Sequence, residues 1–106
     1  MIAAVLVALL AASPEAYFDR KVAPILTRRC LPCHNRELNN KNLSFQDPAT
    51  VRKAIVPGQP DNSLLIQVLK HEGQIQMPPG PPLPKKEIQI LREWISKGAI
   101  WGRELK

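Results

Sequence analysis

Eleven prolines in 106 residues constrain this chain more than any other feature of it. Proline lacks a backbone N–H and fixes φ, so it interrupts helices and is confined to the edges of sheets. No stretch alternates apolar and polar residues long enough to suggest a strand. The expected fold class is therefore all-α, built from short helices joined by proline-rich loops. The length suits one domain. Only five aromatic residues are available to fill its centre, so a bound apolar group would help to complete the core.

Helix signals place the elements. Ser13-Pro14 reads as a cap followed by proline at the first helical position. Phe18, Val22, Ile25 and Leu26 follow at helical spacing, and Pro24 predicts a kink or restart among them. This first helix runs toward Cys30. Residues 35–42 are polar and asparagine-rich, which predicts a loop. Asp47-Pro48 starts a short segment reaching Ile55, and Pro57-Gly58-Gln59-Pro60 breaks the chain again. A third helix is expected from Leu64 to His71, capped by Asp61 or Ser63, with Leu65, Val68 and Leu69 on one side. An irregular loop from 74 to 84 contains Met77-Pro78-Pro79. The last helix opens after Pro84, carries Ile88, Leu91, Trp94 and Ile95 on one stripe, and stops at Gly98. Phe18 and Trp94 are expected to meet where the first and last helices cross, with Trp101 on the same surface.

Residues 1–12 are apolar, but a helix of that length at ~1.5 Å per residue falls short of a ~30 Å bilayer core. Their length, and the small residues Ala11, Ala12 and Ser13 that end the run, fit a signal peptide. No Lys or Arg precedes the run, and a buried N-terminal helix is the alternative. The expected organisation is a signal peptide over 1–13 and one domain over 14–106. The formal net charge is +6. Basic residues come as scattered pairs (Arg20-Lys21, Arg28-Arg29, Arg52-Lys53, Lys85-Lys86) without a nucleic-acid motif, so nucleic acid is not an expected partner. Such a surface suits steering toward an acidic one.

The only cysteines stand in Cys30-Leu31-Pro32-Cys33-His34. Two thiols one helical turn apart can each add to a vinyl group of a porphyrin, and the adjacent histidine can ligate its iron. A thioredoxin-like redox pair would need a βαβ context that is absent. A zinc site would need Cys30, Cys33, His34 and His71 to converge, with adjacent Cys33 and His34 as awkward tetrahedral partners. An iron held by His34 needs a sixth ligand or an open position. Met77 is the candidate, set in a loop that prolines stiffen, and a thioether ligand raises the potential. Met77 as a core residue is one alternative. His71 as the ligand is another. Arg28 and Arg29 are placed either near the exposed haem edge or at a solvated helix end.

These features resemble the Planctomycete-type cytochrome c family, within the cytochrome c-like class. The resemblance runs through Phe18-Asp19, Val22-Ala23-Pro24-Ile25-Leu26, the Cys30 to His34 motif and Asn42-Leu43-Ser44-Phe45. It continues through Val56 to Leu65, His71, Met77-Pro78-Pro79, Leu91 to Ile95, and Gly98-Ala99. It implies a small helical fold wrapped around one haem. It also implies covalent haem c at Cys30 and Cys33, with His34 and Met77 as axial ligands. The chain departs from the family between Leu38 and Asn42, where asparagines stand and relatives commonly carry glycines.

The expected function is one-electron transfer by a c-type cytochrome, with no catalytic residue and no small-molecule substrate, hence not an enzyme. A haem-based peroxidase or small-gas sensor with a labile sixth ligand is the alternative, for which only His71 and Glu72 offer a distal acid–base pair. The expected partner is a redox protein with an acidic surface, and the chain is expected to be monomeric. The expected location is the periplasm or the outer face of the cytoplasmic membrane.

Overall fold

The protein is described from a computed structural model, over residues 13–105. The signal peptide expected over 1–13 lies outside the described residues except for Ser13. That serine caps helix α1 (Pro14–Tyr17), its Oγ accepting the Ala16 N–H at 3.1 Å. A π-helical turn (Phe18–Val22) leads directly into α2 (Ala23–Arg29). Pro24 accounts for the turn. It has no N–H for the carbonyl four residues back, and its ring crowds that carbonyl. The chain takes in an extra residue there, and the Ala23 N–H donates to Phe18 O, five residues back. The kink expected at Pro24 thus takes the form of a π turn, and Phe18, Val22, Ile25 and Leu26 are all buried.

Asp47 caps α3 (Pro48–Val51), accepting the Ala49 N–H at 3.2 Å, and a 3₁₀ turn (Arg52–Ala54) continues it. Helix α4 (Leu64–Leu69) is shorter than expected. It ends before His71 because His71 adopts a left-handed backbone, φ 57°. Neither expected cap serves it with a side chain. The Ser63 hydroxyl is fully buried and faces backward, accepting the Val56 N–H at 2.9 Å and donating to Gln59 O at 3.0 Å. Asp61 instead pairs with Arg92 at 2.8 Å and Lys70 at 3.8 Å.

Helix α5 (Lys85–Ser96) closes the fold. Its end is a Schellman motif: the Gly98 N–H donates to Ile95 O and the Ala99 N–H to Trp94 O, each at 2.9 Å. Gly98 sits at φ 107°, which glycine adopts without penalty. Ile95 O also accepts the Gly58 N–H at 2.7 Å, fixing the Pro57-Gly58 turn against the helix end.

The core lies where α5 crosses the π turn. Phe18 packs against Trp101 at 4.6 Å and Trp94 at 5.6 Å between ring centroids, and the two indoles are 5.6 Å apart. The expected meeting of the first and last helices is therefore present, with Trp101 as its third ring. Burial of a side chain the size of Phe18 stabilises by about 1.5–3 kcal/mol. Trp94 Nε1 donates to Ile100 O at 2.9 Å, which draws the segment after Gly98 onto the same cluster. The described residues hold helices and turns but no strand, only an isolated bridge between His34 and Asn39. No helix among them is long and apolar enough to cross a membrane.

Candidate haem-attachment site

The site is assembled on two loops. The first leaves α2 at Cys30, where the helix unwinds. Cys30 O accepts the N–H of Cys33 at 3.2 Å and of His34 at 2.9 Å, so all three residues of the motif lie on one tight turn. Both cysteines are free thiols; Cys30 is buried and Cys33 exposed. Burial pushes the Cys30 thiol up to about 12. A nucleophilic Cys-x-x-Cys pair shows the opposite, a lowered thiol pKa. No group of three or more His, Cys, Asp or Glu residues among those described converges as a metal site, so the four zinc candidates do not come together.

His34 is held by backbone. Its Nδ1 lies 3.2 Å from Asn40 O and 3.3 Å from Leu43 O. Both partners only accept, so Nδ1 carries a proton, and in the neutral ring Nε2 keeps its lone pair. A carbonyl on the far ring nitrogen fixes the tautomer and the ring orientation that a metal-ligating histidine needs. The ring also meets Phe45 edge-on at 6.0 Å, and the Phe45 N–H donates to His34 O at 2.8 Å.

The asparagines of this loop shape it. Asn35 Oδ1 accepts the N–H groups of Glu37 and Leu38, and its Nδ2 donates to Leu31 O. Asn40 Nδ2 donates to Cys33 O at 3.0 Å. Lys41 and Asn42 both take left-handed φ, 60° and 59°. Glycine meets that demand most easily, and asparagine tolerates it.

The second loop carries Met77. Its N–H donates to Val68 O at 2.9 Å, and its carbonyl accepts from His71 Nε2 at 2.8 Å. Met77 is half-buried and is followed by a cis bond to Pro78. His71 Nε2, the atom a rival ligand would use, is engaged by the Met77 backbone.

A clamp ties the attachment turn to the last helix. Glu87, in the first turn of α5, receives Arg29 Nε at 2.9 Å and Nη2 at 3.0 Å. Arg28 stands 3.8 Å away. Arg29 is thus paired within the protein.

The donor set suits a covalently attached haem: two free thiols on one turn, an imidazole with Nε2 unengaged, and a thioether on a second loop. Apolar side chains of both loops also remain uncovered. Leu38 is 56% and Ile75 59% exposed, and Leu31 and Leu43, with Val68 of the neighbouring α4, are half-buried.

Sequence reasoning named Cys30, Cys33, His34 and Met77 as candidates but gave no sign of the carbonyls of Asn40 and Leu43 beside His34, or of the Glu87 clamp. A backbone acceptor leaves no residue-type signal, and Glu87 reads as an ordinary first-turn acid.

A family model described as Planctomycete cytochrome C matches residues 30–81. The match begins at the first cysteine and includes Met77, a narrower span than the resemblance that runs from Phe18 to Ala99. No curated protein and no solved structure matches the chain.

Proposed function

Because the chain belongs to the Planctomycete cytochrome C family, we propose that this c-type cytochrome passes single electrons through one haem c held by thioether bonds from Cys30 and Cys33. When bound, that haem supplies an iron centre that gains or loses one electron. His34 and Met77 would ligate its iron.

One observation carries it above the others: Asn40 and Leu43 hold the Nδ1 proton of His34, leaving Nε2 as a donor. Cys30 and Cys33, free thiols at the end of α2, would supply the two thioether links. The Met77 thioether, as a ligand, would favour the reduced iron. A peroxidase or gas sensor would need an acid–base residue beside an open position. His71, the main candidate, is already bonded to Met77 O. The basic net charge supports a redox partner with an acidic surface. Haem attachment in an exported compartment, the periplasm or the outer face of the cytoplasmic membrane, accords with the family.

The test uses protein expressed with haem-attachment machinery. Haem staining after denaturing electrophoresis is expected for wild type and lost in the Cys30→Ala, Cys33→Ala double variant. The ferric protein should show a far-red charge-transfer band that disappears in Met77→Ala. A colourless product would end the cytochrome reading; a band persisting in Met77→Ala would remove Met77 from the iron.

A further inference from the structure

The geometry points to His71 as a positioning residue that holds Met77 in place without ligating anything itself. This rests on the reading of Met77 as the sixth ligand given above.

The chain leaves α4 at Leu69 and returns to it at Met77. Residues 72–76 between them are all exposed, so core burial does little to fix the return. Hydrogen bonds take that role. Both peptide groups of Met77 are anchored to the end of α4: its N–H by Val68 O at 2.9 Å, its carbonyl by His71 Nε2 at 2.8 Å. Gln76 Nε2 braces the loop from inside, donating to His71 O at 3.2 Å and Gly73 O at 3.3 Å.

His71 meets a backbone demand that works against its side chain. At φ 57° a residue with a β-carbon is strained, and glycine is the ordinary occupant. What histidine adds is the ring. A carbonyl only accepts, so Nε2 carries the proton toward Met77 and is unavailable to a metal. The bond therefore fixes the carbonyl of the residue whose sulfur is the ligand. Loss of the donor frees the loop, and Met77 leaves the sixth position more often.

Two variants separate backbone from ring. His71→Gly keeps the left-handed turn and removes the donor. His71→Gln offers an amide N–H with similar reach. In the ferric holoprotein, cyanide enters only when Met77 dissociates. His71→Gly is expected to bind cyanide roughly three- to tenfold faster than wild type, the size of one lost hydrogen bond. Its far-red band should weaken, and His71→Gln should restore both readings toward wild type. Wild-type behaviour of His71→Gly, in a protein whose band Met77→Ala still abolishes, overturns the positioning role and leaves Met77 as ligand. A wild type lacking the band removes Met77 from the iron and the proposal with it. Should His71→Gly fail to mature, the wild-type holoprotein decides by NMR. A slowly exchanging His71 Hε2 proton is expected, and one exchanging freely with solvent overturns the assignment.

Discussion

Gly102 lies so close to Asp19 that no side chain fits between them: a β-carbon at 102 would meet the Asp19 carboxylate and the Glu15 carbonyl. The same carboxylate oxygen accepts the backbone N–H of Arg103 at 2.8 Å and of Glu104 at 2.9 Å. The segment after α5 is thereby held against the π turn, next to the Phe18–Trp101 contact.

Gly102→Ala should therefore destabilise by about 1–3 kcal/mol, the usual cost of overpacking a filled site. Equilibrium urea unfolding measures it. An unchanged midpoint would show that the close approach does not exist in solution.

Ser63 yields a second expectation. Its hydroxyl is buried and serves Val56 N–H and Gln59 O at once. Ser63→Ala leaves both backbone groups without that partner, at a cost of about 1–3 kcal/mol. Thermal melting reads the loss. Amide exchange at Val56 should accelerate along with it.

The Arg29–Glu87 clamp makes stability depend on acid. Hydrogen bonding from Arg29, then the charges of Arg29 and Arg28, hold the Glu87 carboxyl below its ordinary value of 4.5. A depressed carboxyl stabilises the fold above its unfolded value, and the contribution fades as pH falls through the folded one. Glu87→Gln should melt about 2–5 °C below wild type at pH 7, as befits a pair whose arginine is exposed and whose carboxylate is partly buried. The gap should close as the pH drops below the range of an ordinary carboxylate. A gap independent of pH would assign the effect to packing instead.

Lys41 gives a prediction of opposite sign. It sits at φ 60°, ψ 26°, where a β-carbon is penalised. Lys41→Gly removes that strain and gives back part of the gain as unfolded-chain entropy, leaving a stabilisation on the order of 0.5 kcal/mol. Urea midpoints test the sign.

Much of this was legible in the order of residues. Ser13, Pro14, Asp47 and Gly98 mark helix ends by local chemistry, and each end falls where its marker stands. Phe18, Trp94 and Trp101 follow from helical spacing and from the small number of aromatics. Cys30, Cys33 and His34 stand out as a candidate site by adjacency alone. Illegible were features that depend on distant backbone. Ser63 has the residue type of a cap, yet its hydroxyl is drawn to carbonyl and amide groups upstream. His71 fits the helical pattern until its backbone turns left-handed. Asn40 and Leu43 act through carbonyls, which every residue possesses.

Asp19 and Gly102 also bring the two ends of the folded unit to one spot, although more than eighty residues separate them. A polypeptide entering at α1 and leaving after Gly102 would do so through almost the same point in space. The unit is accordingly suited to being carried as an insert, because a surface loop of a host protein could accept it without being pulled apart. The proposed electron-transfer chemistry would then travel as a cassette, with its orientation set by the host.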